Sequence, residues 1–206
     1  MTRLFSITFF CVLIGCADNS PRQTFLPPDK NDISEVIEAV IKQDSSLLQS
    51  KSVAHFNTIP LLLDLRKLRV ILTDTTTDRP PPIDHTAVSI FNLFNSLVDN
   101  QRFFNRTDSS YFFFQNETVK TFTIDTATIT KGLVATITLA EQQQKQDLNK
   151  SIQYYDLTIP IFSADNRKAY VERTRNCIGC SGATSFYLGK INDRWTVVGW
   201  QRRWME

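Results

Sequence analysis

The chain has 206 residues, 42% of them hydrophobic, with 23 basic and 21 acidic side chains and a formal charge of +2. That composition excludes a disordered chain, which lacks apolar content, and a charge this small gives no general electrostatic case for nucleic acid. What remains is enough for one folded domain of ordinary size.

Met1 to Gly15 reads MTRLFSITFFCVLIG, with one positive charge at Arg3, an apolar run from Leu4 to Ile14 and no acidic residue. A basic start and a short apolar stretch are the layout of a secretory signal. A membrane-spanning helix needs about 20 apolar residues, and the polar Ala17-Asp18-Asn19-Ser20 begins too soon for that. The run ends in Leu13-Ile14-Gly15-Cys16, which resembles the bacterial lipobox. The resemblance implies a diacylglycerol on the Cys16 thiol, cleavage before it, and acylation of the new amino terminus. Two or more acyl chains anchor stably, at roughly 0.8 kcal/mol per buried methylene. The expectation is therefore an exported protein held to a membrane by lipid on Cys16. Ala17 in place of an acidic residue favours the outer membrane, on its periplasmic side. Residues 1–15 are then the signal, 16–30 a lipidated cysteine with a proline-bearing tether, and 31–206 a single domain.

Asn31 or Asp32 is placed to cap a helix, with Asp32 and Glu35 at capping-box spacing. Ile33, Val36, Ile37, Val40 and Ile41 then form one apolar stripe, the mark of an amphipathic helix packed on a core. Pro60 to Leu63 and Leu68 to Leu72 read as short buried segments, the second as a strand. Thr73 to Asp84, with Pro80-Pro81-Pro82, reads as an exposed loop. Ile90, Leu93, Phe94, Leu97 and Val98 repeat the helical stripe, predicting a second helix from about His85 to Asp99. Tyr111 to Phe114, Val119 to Ile124 and Leu133 to Leu139 are aromatic or β-branched runs that predict strands, the triple phenylalanine lying inside. Glu141 to Lys150 reads as a polar connection or solvated helix. Tyr154–Phe162, Ala169–Arg173, Thr184–Leu188 and Thr196–Trp200 complete the strands, with Asn192-Asp193 as a hairpin turn. Helices first and strands later predict an α+β fold: one or two N-terminal amphipathic helices on a mainly antiparallel, curved sheet. The basic residues of the last third, Arg167 to Arg203, alternate with apolar ones and read as a solvated sheet face.

From Leu157 onward the chain resembles the C-terminal part of a group of small uncharacterised bacterial lipoproteins. The matching residues are Pro160, Ile161, Phe162, Ser163 and Asp165, then Ala169, Tyr170 and Val171, two close cysteines near glycines, Lys190, Trp195 and Trp204. Relatives place Gly-x-Gly at the second cysteine, whereas Ser181-Gly182 follows Cys180 here. The resemblance implies the same address and a C-terminal sheet, and carries no activity.

With Cys11 in the signal and Cys16 lipidated, Cys177 and Cys180 remain in the domain, and an exported pair is expected to be a disulfide. The favoured reading is a structural bridge across a turn. The alternative is a thiol–disulfide redox site, in which one thiolate attacks and the other resolves. Zinc would need two more ligands, and neither His55 nor His85 stands at motif spacing. No nucleophile elbow, phosphate loop or dinucleotide fingerprint is present. Trp200, Arg202 and Trp204 share one face in strand alternation. Exposed, they would stack on sugars or cations; buried, they are core, which is the favoured reading. No catalytic residue, metal or cofactor is assigned. The expected function is a non-enzymatic envelope lipoprotein with a protein or small-ligand partner, and the alternative is a periplasmic redox protein using Cys177 and Cys180.

Overall fold

The computed structural model describes residues 24–44, 59–72, 86–127, 129, 134–148 and 152–205. Cys16, the signal, most of the tether, the proline-rich loop and both histidines lie outside them.

The first helix, α1 (Lys30–Gln43), buries Ile33, Val36, Ile37, Val40 and Ile41 as its stripe dictates. Its cap differs from the expectation: Asp29 is the N-cap, accepting from the Asn31 backbone N–H. Asp32 lies inside the first turn and is free to act elsewhere.

The main sheet is mixed. Its antiparallel part is a meander of β9 (Lys168–Asn176), β10 (Gly182–Ile191) and β11 (Arg194–Met205). Beyond β9 come β7 (Tyr154–Leu157), then β1 (Leu61–Leu62) and β6 (Thr136–Ile137), and β1 runs parallel to both of its neighbours. The expectation of a mainly antiparallel sheet is corrected on that side. A continuous leucine run suits a parallel strand buried on both faces, and Leu61 and Leu62 are both buried. Tyr154 to Phe162 is not one strand either. It breaks at Thr158–Pro160 and resumes as β8 (Ile161–Phe162), which pairs β9 again. Proline has no N–H for the ladder. The Thr158 hydroxyl bridges the gap by accepting from the Glu172 N–H at 2.9 Å.

The helix expected near His85–Asp99 is shorter. Ala87–Ser89 is a strand, β3, paired in parallel with β2 (Arg69–Ile71); α2 covers only Ile90–Asn95; and Leu97–Val98 is β4, paired with β5 (Gln101–Arg102). Leu97 is accordingly exposed.

The phenylalanine run overturns the strand reading: Ser109–Thr118 is a helix, α3. As a helix it divides its aromatics between two cores. Tyr111 joins α1 and one sheet face, while Phe112 packs on Phe104 in the core of the opposite face. Packing across two layers outweighs the weak β preference of aromatic residues. Asp108 marks the start, accepting from Asn105 N–H and from Ala164 N–H, both at 2.9 Å. Two consecutive amides on α3 then dock on backbone. Gln115 exchanges two hydrogen bonds with Phe162 at 2.9 and 3.0 Å, and Asn116 does the same with Val70 at 2.7 and 3.0 Å. Each replaces a missing neighbour strand. Gln115→Leu would leave a buried N–H and C=O of Phe162 unpaired, at about 1–3 kcal/mol each. A fall in melting temperature of about 5–15 °C is expected for a domain of this size, read by circular dichroism.

Val119 to Ile124 contributes only an isolated bridge, Thr123 with Asp64. The polar glutamine segment is a helix, α4 (Leu139–Asp147), opened by a Thr138–Glu141 capping box. Among the described residues no helix is long and apolar enough to cross a membrane.

Candidate functional site

The C-terminal hairpins supply most of the polar chemistry. Asn192 and Asp193 both have positive φ, 49° and 58°, as a two-residue hairpin loop requires. Behind that turn Trp195 is buried and donates its indole N–H to Asp32 at 2.8 Å. Asp32 also accepts from Lys190 at 2.8 Å and from Asn166 at 2.6 Å. Lys190 lies over the Trp195 ring as well. Burial alone would raise the Asp32 carboxyl, but the hydrogen bonds from Lys190, Trp195 and Asn166 outweigh it and hold the group below its ordinary value. The same bond raises Lys190. The Ser163-x-Asp165 stretch closes the β8–β9 turn, where the serine hydroxyl donates to Asp165 at 2.6 Å and accepts from Lys168 N–H at 3.0 Å. Several residues that carry the sequence resemblance are thus engaged in joining α1 to two hairpins.

The two cysteines occupy the β9–β10 turn and are bonded, with Cα atoms 5.3 Å apart. Gly179 takes φ 70° there, and Ser181 bonds both backbone groups of Cys177. Ile178 stands at the tip, 86% exposed.

Beyond the end of α1 the sheet face carries a groove of about 420 Å³ next to this turn, with Tyr155, Arg173, Arg175 and Arg202 on its walls. A second hollow of about 290 Å³ continues past Phe186 to Trp200. Arg173 pairs with Asp44 and lies 4.9 Å over the Tyr155 ring. Trp200 is 62% exposed, so its place is on this surface and not in the core. Arg202 is exposed beside it. The pairing shifts between Ala183 and Thr184, after Arg202 and before Trp204, whose side chain lies outside the described residues.

The opposite sheet face holds a constellation that the sequence reading passed over. Glu172, 2% exposed on β9, accepts from the Tyr170 hydroxyl at 2.5 Å and faces Arg203 Nε at 3.1 Å. The Arg203 contact is an ion pair whose angle does not make it a hydrogen bond. Since the Tyr170 proton goes to Glu172, the Ser185 hydroxyl 2.8 Å away is the donor to Tyr170. Burial, and then the Glu172 charge, push the Tyr170 phenol well above its ordinary range. A second chain runs beside it: Gln201 donates to Tyr187, Tyr187 to Ser96 at 2.8 Å, and Ser96 to the Asn92 carbonyl at 2.6 Å. Burial raises Tyr187 too. Above both lies a cavity of about 380 Å³ between β10, β11 and α2. The sequence signal was the spacing Tyr170-x-Glu172, Ser185-x-Tyr187 and Gln201-x-Arg203, which puts polar groups on one face of three adjacent strands.

No family model, curated protein or solved structure matches this chain.

Proposed function

We propose that the chain is a lipoprotein of the bacterial envelope, exported and held to a membrane by acyl chains on Cys16, and that its domain is a non-enzymatic binding module. The outer membrane, periplasmic side, is the favoured address. One or two helices laid over a curved sheet suit a module that displays a surface. The observation that carries the binding reading is the outward-facing chemistry. Asp32, Asp108, Asp156 and Glu172 are each tied to structural partners, while Trp200 and Arg202 stand exposed at the groove. An indole beside guanidinium groups suits anionic or π-rich partners. The test has two arms. Mass spectrometry of the mature protein should find an acylated Cys16 at the amino terminus, and an unmodified Leu13-to-Cys16 stretch overturns the address. In the second, retention on a sulfated-polysaccharide column should fall in a Trp200→Ala, Arg202→Ala variant. Unchanged retention, or turnover in a broad hydrolase screen, overturns the binding reading.

A second reading, thiol–disulfide exchange, is favoured by one observation: the Cys177–Cys180 bond lies in a half-exposed turn. Against it, the pair joins two strands and does not open a helix, whose N-terminus would stabilise a thiolate. A Cys177→Ser, Cys180→Ser variant is expected to lose about 2 kcal/mol, the loop-entropy value for so short a loop, and to keep its cellular phenotype. Loss of the phenotype with stability intact would favour redox.

A further inference from the structure

The cavity over the Tyr187–Ser96 chain has the chemistry of a sugar site. Its walls present amides and hydroxyls: Asn92, Asn95, Ser96, Gln201 and Tyr187. Its one charged wall residue, Arg203, is offset from behind by Glu172. The hydrogen bonds already made there run in a single direction, from Gln201 through Tyr187 and Ser96 to the Asn92 backbone. Each hydroxyl in that chain has its proton committed, and chains of this kind polarise their members. Gln201 heads the chain with one N–H engaged, so its amide oxygen and second N–H stay available. The side-chain amides of Asn92 and Asn95 are exposed and have no hydrogen-bond partner among the described residues. Asn92, Asn95 and Gln201 therefore offer paired donors and acceptors without net charge. Leu97, 59% exposed, supplies apolar surface in the same wall, with Leu93 buried behind it.

We infer that this cavity binds an uncharged saccharide, and that an N-acetylated amino sugar fits it best. A sugar hydroxyl both gives and accepts a proton, as do the free amides. An acetamido group presents one N–H and one C=O, which a side-chain amide can meet with both of its own. Its methyl group finds Leu97. An anionic ligand would gain little from an arginine that Glu172 already neutralises, and a cationic one would find no carboxylate among the lining residues. At about 380 Å³ the space falls at the low end of ligand clefts, roughly 300–1,000 Å³, which suits one or two sugar rings. The site is on the sheet face opposite Trp200. The inference rests on the binding reading only in that the domain holds its ligand without turning it over, and it is independent of the lipid on Cys16.

The test is saturation-transfer NMR of the full-length protein in deuterated detergent with three probes at millimolar concentration: diacetylchitobiose, maltose and methyl glucuronide. Diacetylchitobiose should receive the most saturation, maltose less, and the uronic acid least. An Asn92→Leu, Asn95→Leu variant should bind about tenfold more weakly, the equivalent of 1.4 kcal/mol, and Gln201→Leu should act in the same direction. Both variants change exposed side chains, and an unaltered circular dichroism melt confirms the fold. Trp200→Ala should bind the disaccharide as wild type does, which separates this site from the groove. The inference is overturned by an absence of saturation in both neutral sugars, by preference for the uronic acid, or by binding that survives both cavity variants.

Discussion

Glu172→Ala is expected to lower the stability of the domain by about 3–5 kcal/mol. The carboxylate is 2% exposed and serves both the Tyr170 hydroxyl and the Arg203 guanidinium. Removing it leaves a half-buried cation without its counter-charge and a phenol at almost no exposure without an acceptor. Unpaired buried groups cost more than the bonds between them contributed. The comparison that isolates this cause is Glu172→Gln with Arg203→Gln. Taking out both charges while keeping the volume should restore much of the loss, since replacing a buried ion pair as a unit is often close to neutral. Urea unfolding of the three proteins checks it. If Glu172→Ala and the double variant are equally destabilised, the ion pair is not the source. Tyr170→Phe should cost less, about 1 kcal/mol, because the carboxylate keeps Arg203.

The second large effect belongs to Asp32. One carboxylate receives Lys190, Trp195 and Asn166, and so holds the start of α1 to two separate hairpins. Asp32→Ala should cost about 3 kcal/mol, from charge-assisted bonds worth roughly 1.5–3 kcal/mol each and partly replaced by water. Asp32→Asn keeps an acceptor and should cost about half that. The pH dependence has a definite sign. The folded protein holds Asp32 below its ordinary value of 3.8, so ionised Asp32 is favoured more in the native state than in the unfolded chain. Its contribution is complete above the unfolded value and is lost as pH falls through the lowered native one. Lys190 behaves oppositely: its raised value makes its share complete below about 10.5 and lost in stronger alkali. The gap between wild type and Asp32→Asn should therefore be flat through neutral pH, close in acid as Asp32 is protonated, and narrow again in strong alkali as Lys190 loses its charge. A gap that closes near neutrality would rule out Asp32 as its source.

These two residues show where the sequence was readable and where it was not. The stripe on α1 was legible because five apolar residues at helical spacing have one consistent burial, and the Asn192-Asp193 turn because few residue pairs accept positive φ. The outer meander was legible from its β-branched and aromatic runs. Strands of two residues, such as Leu61–Leu62 and Thr136–Ile137, are too short to show a period. The phenylalanine run misled because aromatic content carries no phase: the signal for α3 lay in Asp108, Gln115 and Asn116, which bond the distant backbone of Ala164, Phe162 and Val70. The basic residues of the last third were legible in part, since Arg167, Arg194 and Arg202 are exposed. Alternation with apolar neighbours did not show that Arg173, Lys190 and Arg203 each meet an acidic group at half-buried sites. Alternation reports which side a residue is on, and says nothing about what waits there. The likeness of Leu13–Cys16 to a lipobox, by contrast, involves no long-range partner, and its test is chemical.

The contact between α1 and β11 joins nearly the first and nearly the last elements of the domain. The helix that presents Ile33, Val36, Ile37, Val40 and Ile41 shares its core with Leu61, Leu63, Leu65 and Tyr111, but the element it meets most broadly is β11, made more than a hundred residues later. In a chain that emerges from its N-terminus, that cover stays incomplete until Trp195 is out. Folding is then a late, collective event, slow because its decisive contacts span almost the whole sequence. A truncation at either end should therefore act as one lesion. Loss of the last strand would free the first helix, and the intermediate would expose an apolar helix for as long as synthesis takes.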